Sequence, residues 1–194
     1  MSKKSEVTRE RIMKTTWRLL EDNPAKPVRM SDIAKESGLS RQAVYLHFPA
    51  RAELLIATAR YLDEVLEVDE RLKASRAATG VDRLDAWIDA WLGYMPHIYG
   101  VARAFMAMYD TDEAARAAWD DRLAAIRHGC AAAVRALDEA GVLDPGLSVE
   151  RATDSLWMLL SVRNWELLCG GQGWSQDEFV AHMRTVAHRT LVKN

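Results

Sequence analysis

Apolar residues recur along this chain every three or four positions, the period of helices that bury one face. Ile12, Thr16, Leu19 and Leu20 share one stripe, which predicts a first helix over about residues 7–21, closed by Asn23-Pro24. Short helices are predicted at about 30–37 and 41–48, then a longer one from Arg51 into the region of residues 71–74. Beyond Ala78-Thr79-Gly80 the pattern predicts helices over about 82–95, 98–109, 112–140, 149–169 and 176–192. Pro96 is read as the stop of the fifth helix, and Asp144-Pro145-Gly146 and Gly170-Gly171-Gln172-Gly173 as later breaks. Ser175 and Glu178 have the spacing of a capping box. Alternating valine-rich runs are absent, so the predicted fold class is all-α with about nine helices.

Composition narrows this without deciding it. The 194 residues, 49% hydrophobic and 28% charged, suit a globular chain of one large or two small domains. The longest apolar run, around Leu156–Val162, is too short for a membrane span, and no apolar stretch follows the basic start Met1-Ser2-Lys3-Lys4 as a signal peptide would require. Two cysteines, Cys130 and Cys169, without a CxxC pair, suit a reduced cytoplasmic setting. The net charge of -2 conceals an asymmetry: residues 1–60 hold 12 Lys and Arg against 7 Asp and Glu, and the remainder is acidic. A basic end on an acidic body points to a polyanion bound at one end only.

One stretch carries chemistry: Met30-Ser31-Asp32-Ile33-Ala34-Lys35-Glu36-Ser37-Gly38-Leu39-Ser40-Arg41-Gln42-Ala43-Val44-Tyr45-Leu46-His47-Phe48. Gly38 suits the left-handed turn between two short helices, and Ser40 can cap the second. Ile33, Ala34, Leu39 and Val44 are spaced to pack those helices steeply, with small Ala34 allowing close approach. That geometry presents a helix to the DNA major groove.

The pattern Ile-Ala-x-x-x-Gly-Leu-Ser-x-x-x-Val-Tyr-x-His-Phe, followed by Pro-x-Arg-x-Glu-Leu-Leu, resembles the DNA-binding domain of TetR-family regulators over about residues 7–55. The resemblance implies a helix-turn-helix domain over residues 1–53 and a helical ligand-binding and dimerisation domain over 54–194. It implies DNA contacts from Ser40, Arg41, Gln42, Tyr45, His47 and Arg51. Arg41 and Gln42 carry the donors that read guanine or adenine edges, while Ser40, Tyr45, His47 and Arg51 suit phosphate. Arg29 stands where the family has a capping threonine, so the cap is expected to pass to Ser31 and Arg29 to gain a phosphate. Ala50 replaces a common serine before Arg51.

In the body, Trp87, Trp91 and Tyr94 fall on one helical face, with Met106, Trp119, Trp157 and Trp165 further on. Such aromatics are ordinary core material, or line an apolar ligand pocket. The resemblance implies the pocket, and with it a small apolar effector. It also implies a homodimer through the last two helices, whose apolar faces include Leu156, Leu159, Leu160, Leu167, Phe179, Val180, Met183, Val186, Ala187 and Leu191. No HExxH, Cys/His ligand spacing, phosphate loop or GxSxG is present, so no catalytic residue, metal or cofactor is assigned. The expected protein is a repressor that releases a palindromic DNA operator on binding its effector. The alternatives are a DNA-binding organiser of the same fold, and a helical binding protein or enzyme with a vestigial reading head.

Overall fold

The computed structural model describes residues 3–24 and 26–193; Met1 and Ser2 of the basic start, Ala25 and Asn194 lie outside them. Helices run over Lys3–Asp22 (α1), Met30–Ser37 (α2), Arg41–His47 (α3), Arg51–Val65 (α4), Val68–Arg71 (α5), Lys73–Ala77 (α6), Gly80–Met108 (α7), Glu113–Glu139 (α8), Val149–Leu159 (α9), Val162–Trp165 (α10) and Gln176–Leu191 (α11). A π-helical turn, Glu166–Gly171, follows α10, and an isolated bridge joins Leu143 to Val192. Among the described residues there is no β-strand beyond that bridge, and no helix is long and apolar enough to cross a membrane. The chain divides into two compact units. The first runs to Leu66 and takes in Ile98–Leu123; the second comprises Glu67–His97 and the residues from Ala124 onward.

In the first unit, α1 packs on α2 and α4, and α2 on α3. Ile12, Leu20, Ile33, Val44, Leu54 and Leu55 are fully buried. Three hydroxyls are buried with them, and each donates to the carbonyl four residues back: Thr16 to Ile12, Ser37 to Ile33 and Thr58 to Leu54. That pairing removes the penalty of an unsatisfied polar group in the core. α4 is also tied to the start of α8 by charge. Arg51 pairs with Asp112, Arg60 with Asp121 at 2.6 Å, and Asp63 with Arg122. α4 stops sooner than the pattern predicts because Glu67 adopts a left-handed backbone, φ 52°, that no helix continues through.

The second unit departs from the sequence reading at two places, and hydrogen bonding explains both. Pro96 was expected to end a helix, yet α7 continues through it. Proline lacks the N–H that would reach the carbonyl of Leu92. Gln176 Nε2 donates to that carbonyl at 2.8 Å, and Gln176 Oε1 accepts from Trp165 Nε1 at 2.7 Å. One amide thus replaces the missing helical bond and satisfies a half-buried indole. The helix predicted over 149–169 breaks instead at Leu160. There Asn164 Nδ2 donates to the carbonyls of Met158 and Leu159, Trp91 Nε1 donates to that of Leu160 at 2.8 Å, and Ser161 caps α10. The carbonyls of Met158, Leu159 and Leu160 at the break therefore find donors, which lowers the cost of the break in the interior.

α11 lies against α7, with His188 Nε2 2.6 Å from Asp85 and Arg184 paired to Asp89. Most of the apolar residues assigned to a dimer face are covered by the chain itself: Leu156, Leu160, Phe179, Ala187 and Leu191 are fully buried and Met183 nearly so. A stripe at helical spacing looks the same whether its own core or a partner covers it. Leu167 and Met158 are the large apolar side chains this unit leaves exposed.

The role given to Gln176 can be measured. Gln176→Ala should destabilise the protein by about 1–3 kcal/mol, the cost of leaving buried polar groups unpaired. With Pro96→Ala present, residue 96 regains an N–H for Leu92, and the same change should cost clearly less in urea unfolding. Equal costs in the two backgrounds would remove Gln176 as the replacement donor.

Candidate nucleic-acid interface

The turn between α2 and α3 forms as the residues dictate. Gly38 takes φ 66° and ψ 30°, and its N–H and that of Leu39 close onto carbonyls of the last turn of α2. A side chain at this backbone angle is strained, so glycine ends the helix at least cost. Ser40 then starts α3, its Oγ accepting from the Ala43 N–H at 3.1 Å. Val44 and Phe48 are sealed inward at 0% and 1% exposure.

With that face fixed, the opposite one stands in solvent. Ser40, Arg41, Gln42 and Tyr45 are exposed, and so is Leu46, which the sequence reading left out. His47 is half-buried, and its carbonyl accepts from Arg9 Nη1 at 2.8 Å. The Arg9 guanidinium also lies 4.0 Å over the Phe48 ring. A cation at the end of a helix meets the negative pole of its dipole, so Arg9 holds α3 by charge as well as by stacking. Nothing in the local sequence marks Arg9, because its contacts are 38 and 39 residues away.

Two expectations change. Ser31 does not take over the cap of α2. Its hydroxyl donates to Asp32, and the Asp32 carboxylate reaches back to the Arg29 N–H at 3.4 Å. Arg29 has no acceptor atom to offer as a cap, and its side chain is exposed beside the helix start. Arg51, expected on phosphate, is committed elsewhere. Its Nε donates to Val28 O at 2.6 Å, and its Nη1 contacts both Asp112 oxygens at 2.7 and 2.8 Å. Asp112 in turn accepts from the N–H groups of Ala114 and Ala115, capping α8. Burial opposes charge on this carboxyl, but Arg51 and the two amides outweigh it and hold Asp112 below its usual range.

The aromatic residues proposed from sequence as a ligand set are shared between the two units. Met106 and Trp119 belong to the first unit, where both are buried. In the second unit Trp87 stacks on Trp91 at 6.5 Å, and Trp91 meets Tyr94 at 6.1 Å. Trp87 lies so close over Gly129 that an added Cβ would fall 2.0 Å from its ring. Burial pushes the Cys130 thiol up to about 12 against the opposing pull of the Trp87 indole, so this cysteine stays protonated. Trp165 is held by Gln176, and Trp157 is half-buried on α9. No group of three or more His, Cys, Asp or Glu suited to a metal ion occurs among the described residues.

Residues 12–58 match the family described as bacterial regulatory proteins, tetR family. Curated relatives include the nucleoid occlusion factor SlmA of Marinomonas sp. (strain MWYL1), 24% identical over 107 residues, which are 55% of this chain and 54% of that protein. SlmA of Shewanella baltica (strain OS155 / ATCC BAA-1091) is 33% identical over 58 residues, 30% of this chain and 29% of its own. The chain thus spans about half or less of the curated relatives it matches. Among solved structures, a putative transcriptional regulator from Saccharomonospora viridis in complex with choline superposes with TM-score 0.74 at 22% identity, covering 97% of this chain and 100% of that one. NalD, the secondary repressor of the MexAB-OprM multidrug efflux pump in Pseudomonas aeruginosa, does so with TM-score 0.69 at 23% identity over the full length of both. At these identities the likeness establishes the fold.

The Arg51–Asp112 pair makes an acid-stability prediction. A carboxyl held low in the folded state contributes stability above its unfolded value, about 4, and loses it as pH falls through the lower folded value. Asp112→Asn keeps the cap on α8 but removes the charge, and should cost about 1–3 kcal/mol at neutral pH. Urea unfolding from pH 7 to pH 3 should show the difference between wild type and variant shrinking below about pH 4. A difference independent of pH would show that the charge is not what stabilises.

Proposed function

We propose that this chain, whose residues 12–58 match the tetR family and whose fold matches solved regulators, is a dimeric transcription regulator of the cytoplasm that binds a palindromic operator and releases it to a small effector. The observation that carries the DNA-binding part is the outward strip of α3. Arg41, Gln42 and Tyr45 stand exposed on a helix whose other face is sealed by Val44 and Phe48. Arg41 and Gln42 read base edges; Ser40, Tyr45, His47 and Arg29 bind phosphate. Arg51 serves the interface indirectly, by fixing the start of α4 to Val28 and Asp112. An isologous dimer places two such helices one duplex turn apart, with Met158 and Leu167 as the apolar residues available to its α9–α11 interface.

The effector is assigned to the aromatics of the second unit: Trp87, Trp91, Tyr94, Trp157 and Trp165. The structural neighbours, one a repressor and one in complex with choline, favour a ligand-responsive chain. The SlmA relatives favour a second reading, a DNA-binding organiser without an effector.

Binding to a selected duplex should fall steeply with salt, by about 10³-fold or more between roughly 50 and 200 mM if a dimer neutralises six or more phosphates. Arg41→Ala should cost about 1–3 kcal/mol and relax preference at one position per half-site, whereas Arg51→Ala should resemble Asp112→Asn in stability and leave sequence preference intact. A flat salt response, or equal affinity for all duplexes, overturns operator binding. Tryptophan fluorescence separates the two readings. Compounds that quench it should release DNA at the same concentrations, with a coupling of about 1–3 kcal/mol. Tight ligands that leave DNA affinity unchanged would favour the organiser.

A further inference from the structure

Leu46 is 79% exposed, more than any other large apolar side chain among those the structure leaves in solvent, and it lies within the polar strip of α3. Its companions on that face are Arg41, Gln42 and Tyr45, and the inward positions Val44 and Phe48 are already filled. Nothing in the fold uses this leucine. An apolar group so placed gains only when a partner covers it. A second copy of the same surface is a poor cover, because residues 1–60 carry 12 basic against 7 acidic side chains and like charges oppose contact.

Resting on the DNA-binding role proposed above, we infer that Leu46 packs against the C5 methyl group of a thymine and so reads one base pair of each half-site without a hydrogen bond. That methyl is the apolar group a major groove displays. The spacing fits. Leu46 lies one turn beyond Gln42, about 6 Å along the helix axis. Base pairs are stacked about 3.4 Å apart, so the two side chains address positions about two steps apart. Helical side chains also lean toward the helix N-terminus, which turns the leucine back toward the residues that read bases.

The test uses the full chain and the duplex that it selects from a random pool. Each thymine of that duplex is replaced in turn by deoxyuridine, which removes only the methyl group. Wild type should bind about fourfold more weakly when one critical methyl is lost, and about fifteenfold more weakly when both half-sites lose it, the value of a buried methyl-sized group. Leu46→Ala, at an exposed helical position, should fold normally, bind the thymine duplex about as weakly as wild type binds the deoxyuridine one, and ignore the replacement. Wild type indifferent to every replacement, or Leu46→Ala still sensitive to it, overturns the inference while leaving operator binding in place. A change in the sedimentation of Leu46→Ala, with the methyl response intact, overturns it in favour of a contact between copies. Selection of no preferred duplex overturns the operator reading as well.

Discussion

A helix of seven residues makes too few internal hydrogen bonds to persist in water. α3 therefore depends on the burial of Val44 and Phe48 against the rest of the first unit, with Ser40 closing its start and Arg9 its end. That constraint decides nearly everything about the surface proposed to face DNA. Fixing two apolar residues inward sets the rotation of the helix, and the rotation determines that Arg41, Gln42, Tyr45 and Leu46 face out together. The residues proposed to read DNA need no scaffold of their own; they are exposed as a consequence of what is buried.

Charge is divided in a similar way. Asp112, Asp121 and Asp63 neutralise Arg51, Arg60 and Arg122 along α4 and α8. The pair of Asp112 with Arg51 is the most sheltered of these, with side-chain exposures of 9% and 21%. Sheltered pairs are screened little by salt, whereas exposed cations such as Arg41 are screened strongly. One protein could thus hold its first unit firmly at salt concentrations that would dissociate the proposed DNA complex.

Local rules made much of this legible. Gly38 and Ser40 announce a turn and a cap through their own backbone and side-chain chemistry, and the structure places both as expected. The capping box of Ser175 and Glu178 is likewise present. What escaped notice depends on partners distant in sequence. Pro96 is a helix breaker unless something replaces its missing N–H, and Gln176 lies 80 residues away from it. Ser161 is an unremarkable residue inside an apolar run until Trp91 and Asn164 satisfy the carbonyls that a break there exposes. Arg51 matches a phosphate-binding position, and no rule of spacing could anticipate that Asp112 would claim it. Met183 and Phe179 have the periodicity of an interface and the burial of a core.

The same distant bonds constrain any effector of the second unit. The Trp91 and Trp165 indoles are donors already engaged, one with the Leu160 carbonyl and one with Gln176. A ligand seated among these aromatics either leaves both bonds intact or replaces them, since each buried donor or carbonyl left unpaired costs about 1–3 kcal/mol. A purely apolar molecule has no acceptor with which to replace them. If it displaced both it would forfeit an amount comparable to the whole coupling free energy of a typical allosteric pair. An effector that shifts the Trp91 and Trp165 side chains therefore has to carry an acceptor of its own. One that is wholly apolar has to act through the stacked faces of Trp87, Trp91 and Tyr94, leaving the Leu92 carbonyl below Pro96 and the carbonyls at the end of α9 paired as they are.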